Sequence, residues 1–229
     1  TDIFRDPSIK SCGEELCLEI INEQTAVLTI SSFVYYPWNN LSVFTDFIDK
    51  SMKTINENKI KNLIIDVRFN GGGSKESSAH LLRYLVNKDF IYYSKVEDPR
   101  GNKNNNIKEI ITPFENRFKG NQYYLIDGKG NSTTGHFMSL VKVLELGTIV
   151  GEELGSNQFC SGGQEVCRLS NTKLVYYVAN NTHVSSATSL PDETGILPDH
   201  YVTQSIDDYF AKKDVVKEFA LSLIKKSNN

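Results

Sequence analysis

The sequence predicts an α/β domain built on a largely parallel sheet, and three observations carry that prediction. Short apolar runs rich in β-branched and aromatic residues recur at 26–33, 62–69 and 122–127, each of a length that suits a buried strand. Between them lie segments whose apolar residues return at three- and four-residue intervals, the period of a helix with one buried face. Strands that alternate in this way with helices of about ten to fifteen residues are the pattern of parallel strands joined by helical crossovers.

The first run, AVLTISSF (26–33), reads as a strand buried on both faces. In LSVFTDFIDKSMKTI (41–55), Leu41, Phe44, Phe47, Ile48 and Met52 share one helical face. NLIIDVRF (62–69) is the second strand, and Gly71, Gly72 and Gly73 end it. SSAHLLRYLV (77–86) returns to helix and IYYSKV (91–96) to strand, while the polar, Asn-rich stretch 97–109 reads as an exposed loop. The order then repeats with a strand over 122–127, a helix over 133–146 and a strand over 147–153. A later strand is expected over 173–180. The final segment KKDVVKEFALSLIKK places Val215, Val216, Phe219, Leu223 and Ile224 on one side of a helix. No internal repeat or linker divides the chain, so residues 1–25 are expected as an N-terminal arm leading into a core domain over 26–229.

Composition excludes several classes of function. With 229 residues, 39% of them hydrophobic, the chain is long enough for one well-packed core. Its 25 basic and 28 acidic side chains are interspersed, which argues against a nucleic acid or an anionic membrane as partner. No stretch approaches the roughly 18 apolar residues of a membrane helix, and TDIFRDPSIK lacks the layout of a signal peptide. The cysteines fall as two close pairs, Cys12 with Cys17 and Cys160 with Cys167. Either they are idle thiols, or the second pair, bracketing CSGGQEVC, staples a hairpin whose Gly162 and Gly163 let the chain double back. A staple would favour a location outside the cytoplasm, periplasmic or secreted. Zinc is disfavoured because the spacings are wrong and no nearby histidine completes a set. The triplets at Asn40, Asn131 and Asn180 match the glycosylation pattern but are common by chance.

Two segments carry chemistry. In NSTTGH (131–136), Ser132 sits between an apolar strand and an apolar helix, either as the helix cap or as a nucleophile displayed at a strand-to-helix corner. In IIDVRFNGGG (64–73), a strand ends in glycines. Ser74-Lys75 stands in the wrong order for a phosphate loop, and GGGSKE does not give a dinucleotide fingerprint. What remains is a turn of small residues whose backbone N–H groups can face a developing negative charge, with Asp66 and Arg68 as an internal ion pair that locks it.

Taken in order, IIDVRFNGGG, YYLIDGKGNSTTG, TIVGEELG and ETGILPD (193–199) resemble the motifs of the tricorn and C-terminal processing peptidase family, over about residues 26–224. The resemblance implies a crotonase-like layout and a serine peptidase acting on a peptide or protein substrate, with no metal and no organic cofactor. It places Ser132 at the nucleophile and the N–H groups of Thr133 and Gly72 at the oxyanion. One branch of the family activates its serine with a lysine after Val-Gly-Glu. Here that segment is LGSNQF (154–159), with Asn157 near the expected place and no lysine. The other branch uses a histidine assisted by a carboxylate, which Glu193 matches with Asp192 as neighbour and rival, one residue short of the family pattern. The histidine of that branch lies upstream, so the chain is expected to be a catalytic core that associates with an upstream region of the parent protein.

Each histidine present has an ordinary reading. His136 is expected to pack or to face solvent, His80 and His200 to face solvent, and His183 to lie in a loop within reach of the site. Two rival functions stand beside the peptidase: an inactive relative that binds peptides or proteins in the same groove, and a crotonase-type acyl-thioester enzyme, in which the serine corner and ETGILPD have no task.

Overall fold

The computed structural model describes residues 16–35, 40–97 and 109–227. β1 (Leu16–Asn22) and β2 (Thr25–Ile30) pair antiparallel, and α1 (Ser42–Glu57) then leads to β3 (Asn62–Asp66), parallel to β2. α2 (Lys75–Leu85) follows, with the short strands β4 (Phe90–Ile91), β5 (Tyr93–Glu97) and β6 (Ile110–Ile111). The strand–helix order continues with β7 (Asn121–Ile126), α3 (Thr133–Val143) and β8 (Thr148–Gly151). β9 (Phe159–Gly162), β10 (Glu165–Arg168), β11 (Val175–Val178), β12 (Asn181–Ser185) and β13 (His200–Tyr201) precede the closing helices α4 (Ile206–Phe210) and α5 (Val215–Ser227).

The main sheet has six strands in the order β1-β2-β3-β7-β8-β13, parallel from β2 onward. Its central strands read as unbroken apolar runs because both of their faces are covered. Ala26, Leu28, Ile30, Leu63 and Ile65 face the side packed by α1, α2 and α3, where α1 contributes Phe44, Ile48, Met52 and Ile55. Val27, Ile64, Tyr123, Leu125 and Val150 face the other side, which α5 covers with Val216, Ala220 and Ile224. On the helical side Phe33, Phe44 and Phe137 stack as a chain of tilted rings and seat α3 against the end of β2.

Three expectations are revised. Residues 16–22, within the segment expected as an arm, form an edge strand of the main sheet. The apolar run expected as a strand over 173–180 contributes β11, but in an exposed two-stranded ribbon with β10, outside the main sheet. The Cys160–Cys167 staple is absent and both thiols are free, because β9 and β10 do not pair with each other. β9 pairs with β12 and β10 with β11, so the two sulfurs belong to different sheets. Cys17 is disulfide-bonded, and its partner lies outside the described residues. Most of the loop expected over 97–109 also lies outside them.

Arg68 fastens the end of β3 to the start of α5. Its guanidinium donates from Nε and Nη2 to Asp66, at 3.0 and 2.8 Å, and from Nη1 and Nη2 to Asp214, both at 2.7 Å. Burial alone would push the Arg68 pKa down, but the Asp66 charge and the hydrogen bonds to Asp214 and Asp66 outweigh it and hold the group above its ordinary range. Asp214 Oδ1 also accepts the Lys217 N–H and so starts the helix. Asp66→Ala leaves Arg68 with half its partners, and removing one member of a buried pair costs about 3–5 kcal/mol. Urea unfolding should show a loss of that size, and a change below about 1 kcal/mol would contradict the account.

Candidate active site

The chain leaves β3 in a strained path that the neighbouring strand braces. Phe69 has φ 62° and its N–H donates to both carboxylate oxygens of Asp127, at 3.1 and 3.0 Å. Burial raises the Asp127 pKa, and the N–H groups of Phe69 and Lys129 oppose that rise. Asn70, fully buried, follows. Its Nδ2 donates to the Ile30 carbonyl at 3.0 Å and its Oδ1 accepts the Gly72 N–H at 2.8 Å. Its own carbonyl accepts the Asn131 N–H at 3.1 Å and the Thr134 hydroxyl at 3.0 Å. One residue thereby joins β2, the glycine turn and the start of α3.

Ser132 is not a capping serine. Its backbone lies at φ 56°, ψ −124°, and its hydroxyl caps no N–H of α3. Its carbonyl, by contrast, does open the helix by accepting the Gly135 N–H at 2.8 Å. A non-glycine residue in this region is held at a cost of roughly 1–3 kcal/mol, and such positions cluster where a side chain must be displayed. The corner therefore has the strand–turn–helix form that presents a nucleophile.

The glycine turn and this corner meet. A Cβ on Gly72, whose φ is +101°, would lie 2.7 Å from Ser132 Cβ and 3.0 Å from the Thr133 nitrogen. The Gly72 N–H, expected at the oxyanion, is instead spent on Asn70 Oδ1. The neighbouring Gly73 is placed differently. Its flanking groups, Gly72 C=O and Ser74 N–H, bond to Phe33, so the polar groups of Gly73 turn the opposite way. Its C=O accepts the Thr133 hydroxyl at 2.6 Å, and among the described residues its N–H has no hydrogen-bond partner. The Thr133 N–H is likewise unpaired among them, at the positive end of an eleven-residue helix.

The remaining candidates lie elsewhere. Glu193 is exposed and makes no hydrogen bond to a described residue, whereas Asp192 Oδ1 accepts from Gln158 Nε2 at 2.8 Å. Asn157 Nδ2 holds the same segment through the carbonyls of Asp192 and Thr194, both at 3.0 Å. His136 is buried beneath the site, with Nε2 3.1 Å from the His183 carbonyl. Burial pushes its pKa down to about 4, so its ring is neutral near pH 7. His183 is in strand β12 and not in a loop, and its ring lies 5.2 Å from that of Tyr93. His80 binds Asp49 at 2.6 Å, and His200 packs on Phe219. The sequence reading missed Cys160, whose Sγ lies 3.1 Å from Ser132 Oγ. Strand alternation would have placed it on one face of β9, but nothing in the sequence shows that this face meets Ser132.

The pattern of peptidase family S41 matches residues 24–202. No curated protein matches the chain. Among solved structures, a Parabacteroides merdae protein assigned as a peptidase superposes with a TM-score of 0.69 at 21% identity, over 91% of this chain and 64% of that one. A Bacteroides fragilis protein assigned as an S41 protease gives 0.67 at 13% identity, over 94% and 59%. The photosystem II D1 C-terminal processing protease gives 0.55 at 19% identity, over 78% and 42%. This chain thus spans about two fifths to two thirds of the length of these three structures.

Two outcomes test the site as built. Gly72→Ala drives a methyl group into Ser132 and Asn131 and should cost about 1–3 kcal/mol. Gly71→Ala meets nothing within 4 Å and serves as the control, and equal stability of the two variants would refute the close approach. His136 titrates at about 4 folded against 6.5 unfolded, so the stability it confers is complete above pH 6.5 and drains away as the pH falls through 4. Between pH 7 and pH 4 the wild type should lose on the order of 3 kcal/mol more than His136→Asn does. Parallel pH profiles of unfolding would contradict the burial.

Proposed function

Because the chain belongs to peptidase family S41, we propose that it is a serine peptidase core in which Ser132 attacks the carbonyl carbon of a peptide or protein chain. The N–H groups of Thr133 and Gly73 receive the oxyanion as it forms, one from a helix start and one from the glycine turn. The tetrahedral centre collapses as the peptide C–N bond breaks and the amine departs with a proton, and water then hydrolyses the acyl–serine ester. The observation that carries this reading is the backbone of Ser132 together with a hydroxyl that caps nothing. Serving neither helix nor core, the side chain is free for chemistry.

The crotonase-like layout belongs to the same reading, supported by the parallel sheet and by a turn and a helix start that face each other at one end of its central strands. The resemblance adds Glu193 as an assisting carboxylate for an imidazole. Nothing ties Glu193 to Ser132 among the described residues, so the proposal rests on Ser132 and the two N–H groups. Placement outside the cytoplasm is supported by the disulfide at Cys17, since such bonds persist in oxidising compartments.

A fluorophosphonate probe and a mixed peptide library test the proposal. The wild type should be labelled at Ser132 and should release peptides, and Ser132→Ala should lose turnover by several orders of magnitude, on the order of a millionfold in the serine protease subtilisin. Undiminished turnover in Ser132→Ala would overturn the assignment. Peptide binding without any turnover by the wild type would favour the inactive, peptide-holding relative, a reading suggested by the absence of an imidazole bonded to Ser132 among the described residues.

A further inference from the structure

The corner at Ser132 is flanked by a small sheet and by the start of α2. β5 pairs with β12 and β12 with β9, so Tyr93 of β5 and Cys160 of β9 belong to one three-stranded sheet. Cys160 Sγ lies 3.1 Å from Ser132 Oγ, and the Tyr93 ring lies 5.2 Å from the rings of both His136 and His183. Lys75 opens α2 just after the glycine turn, where the Gly73 carbonyl accepts the Thr133 hydroxyl. Its ammonium reaches over the rings of Tyr93 and Tyr92, 5.5 and 6.0 Å from their centres. A cation and a phenol are thus brought together beside the thiol that touches Ser132.

We propose that Lys75 and the Tyr93 hydroxyl form an acid-binding subsite, so that the substrate is a chain carrying a glutamate or aspartate close to the bond that Ser132 attacks. The inference rests on the serine-peptidase reading and names the substrate class of that same site.

The contact such a residue makes has a counterpart within the chain. Glu109 Oε2 accepts from Lys75 Nζ at 2.8 Å. The two partners are unequal, for the Lys75 side chain is only 21% exposed and lies against the rings, whereas that of Glu109 is 61% exposed. An ion pair with one partner in water contributes little, so one carboxylate replaces another at small cost. Glu109 therefore stands where the substrate's carboxylate would bind. The hydrogen bond and the charge of Lys75 lower the Glu109 pKa, which shows that this position favours an ionised acid.

Tyr93 supplies a second, neutral donor. Burial, followed by the charges of Cys160 and Glu76, pushes its pKa up, so the phenol keeps its proton. The same charges put it within electrostatic reach of both the serine corner and the start of α2. The neighbouring Glu76 is spent on the helix cap, where its Oε2 accepts the Ser74 hydroxyl at 2.7 Å.

Peptides that the chain cleaves, remade with Glu, Gln or Lys at each position flanking the cleaved bond, test the proposal through kcat/KM. At one flanking position Glu should exceed Gln by about 10- to 100-fold, the worth of a hydrogen bond to a charged group. Lys75→Met should bring that ratio to about one, Lys75→Glu should reverse it in favour of Lys, and Lys75→Arg should keep it. Glu109→Gln removes the resident carboxylate and should lower KM for the Glu peptide by about two- to tenfold. A purely structural ion pair predicts instead that the Lys75 and Glu109 variants depress all three peptides alike, and that result would overturn the proposal. Lys53→Met, at an exposed pair with Glu57, is the control and should leave the ratio as it is. Titrating fluorescent versions of the same peptides into Ser132→Ala separates recognition from cleavage, and the Kd values should show the same preference for Glu. A wild type that cleaves Glu and Gln peptides equally well, or a Lys75→Met variant that keeps the preference, would overturn the subsite and leave the peptidase reading standing. Binding of Glu peptides that depends on Lys75, in a chain whose wild type cleaves nothing, would support the subsite and overturn the peptidase reading. Neither cleavage nor binding of any peptide would overturn both.

Discussion

The hydrogen bonds of Asn70 are the constraint on which the rest of the site depends. A buried amide has no water to fall back on, so each of its polar atoms must find a protein partner or cost the fold a desolvation penalty. Asn70 finds them on three different elements: the Ile30 carbonyl of β2, the Gly72 N–H of its own turn, and the Asn131 and Thr134 groups that open α3. The turn and the helix start therefore cannot move independently. The Gly72 N–H is used internally, and the N–H of the next residue, Gly73, has no hydrogen-bond partner among the described residues.

Strain and reinforcement are distributed around this amide. Phe69 and Ser132 both hold positive φ, and each is fixed by a neighbour: Phe69 by Asp127 at the end of β7, and Ser132 by Asn131, whose Oδ1 accepts its N–H at 2.7 Å. Arg68, one residue before Phe69, carries the same end of β3 to α5 through Asp214. Both faces of the sheet thus brace one end of the strands, where the turn and the corner meet. Open parallel sheets commonly place their chemistry at this end.

The α/β class, the central strands and the helices over 42–57 and 133–143 were legible in the sequence because period and β-branched content report burial directly. Glycine spacing and the corner at Ser132 were legible through motif order. β1 was not, since LCLEIIN mixes charged and apolar residues as an edge strand does and resembles a solvated arm. The supposed cysteine staple failed for a related reason. Proximity in sequence suggested a hairpin, but Phe159–Gly162 found a longer-range partner in Asn181–Ser185. Which N–H of the glycine turn the Asn70 amide consumes was beyond the sequence as well. The contact between Cys160 and Ser132 joins a strand of one sheet to a helix lying on another, a relation that no local pattern encodes.

The central claim is that Asn70 holds the serine corner in working form, and the fluorophosphonate labelling rate of Asn70→Ala, corrected for the folded fraction measured by circular dichroism, tests it most directly. Removing the amide should leave the Ile30 carbonyl and the Gly72 N–H unpaired, release the glycine turn, and slow labelling of folded protein at Ser132 by at least about tenfold, the equivalent of roughly 1.4 kcal/mol of lost preorganisation. Labelling of the folded variant at the wild-type rate would show that the corner stands without Asn70 and would contradict the account.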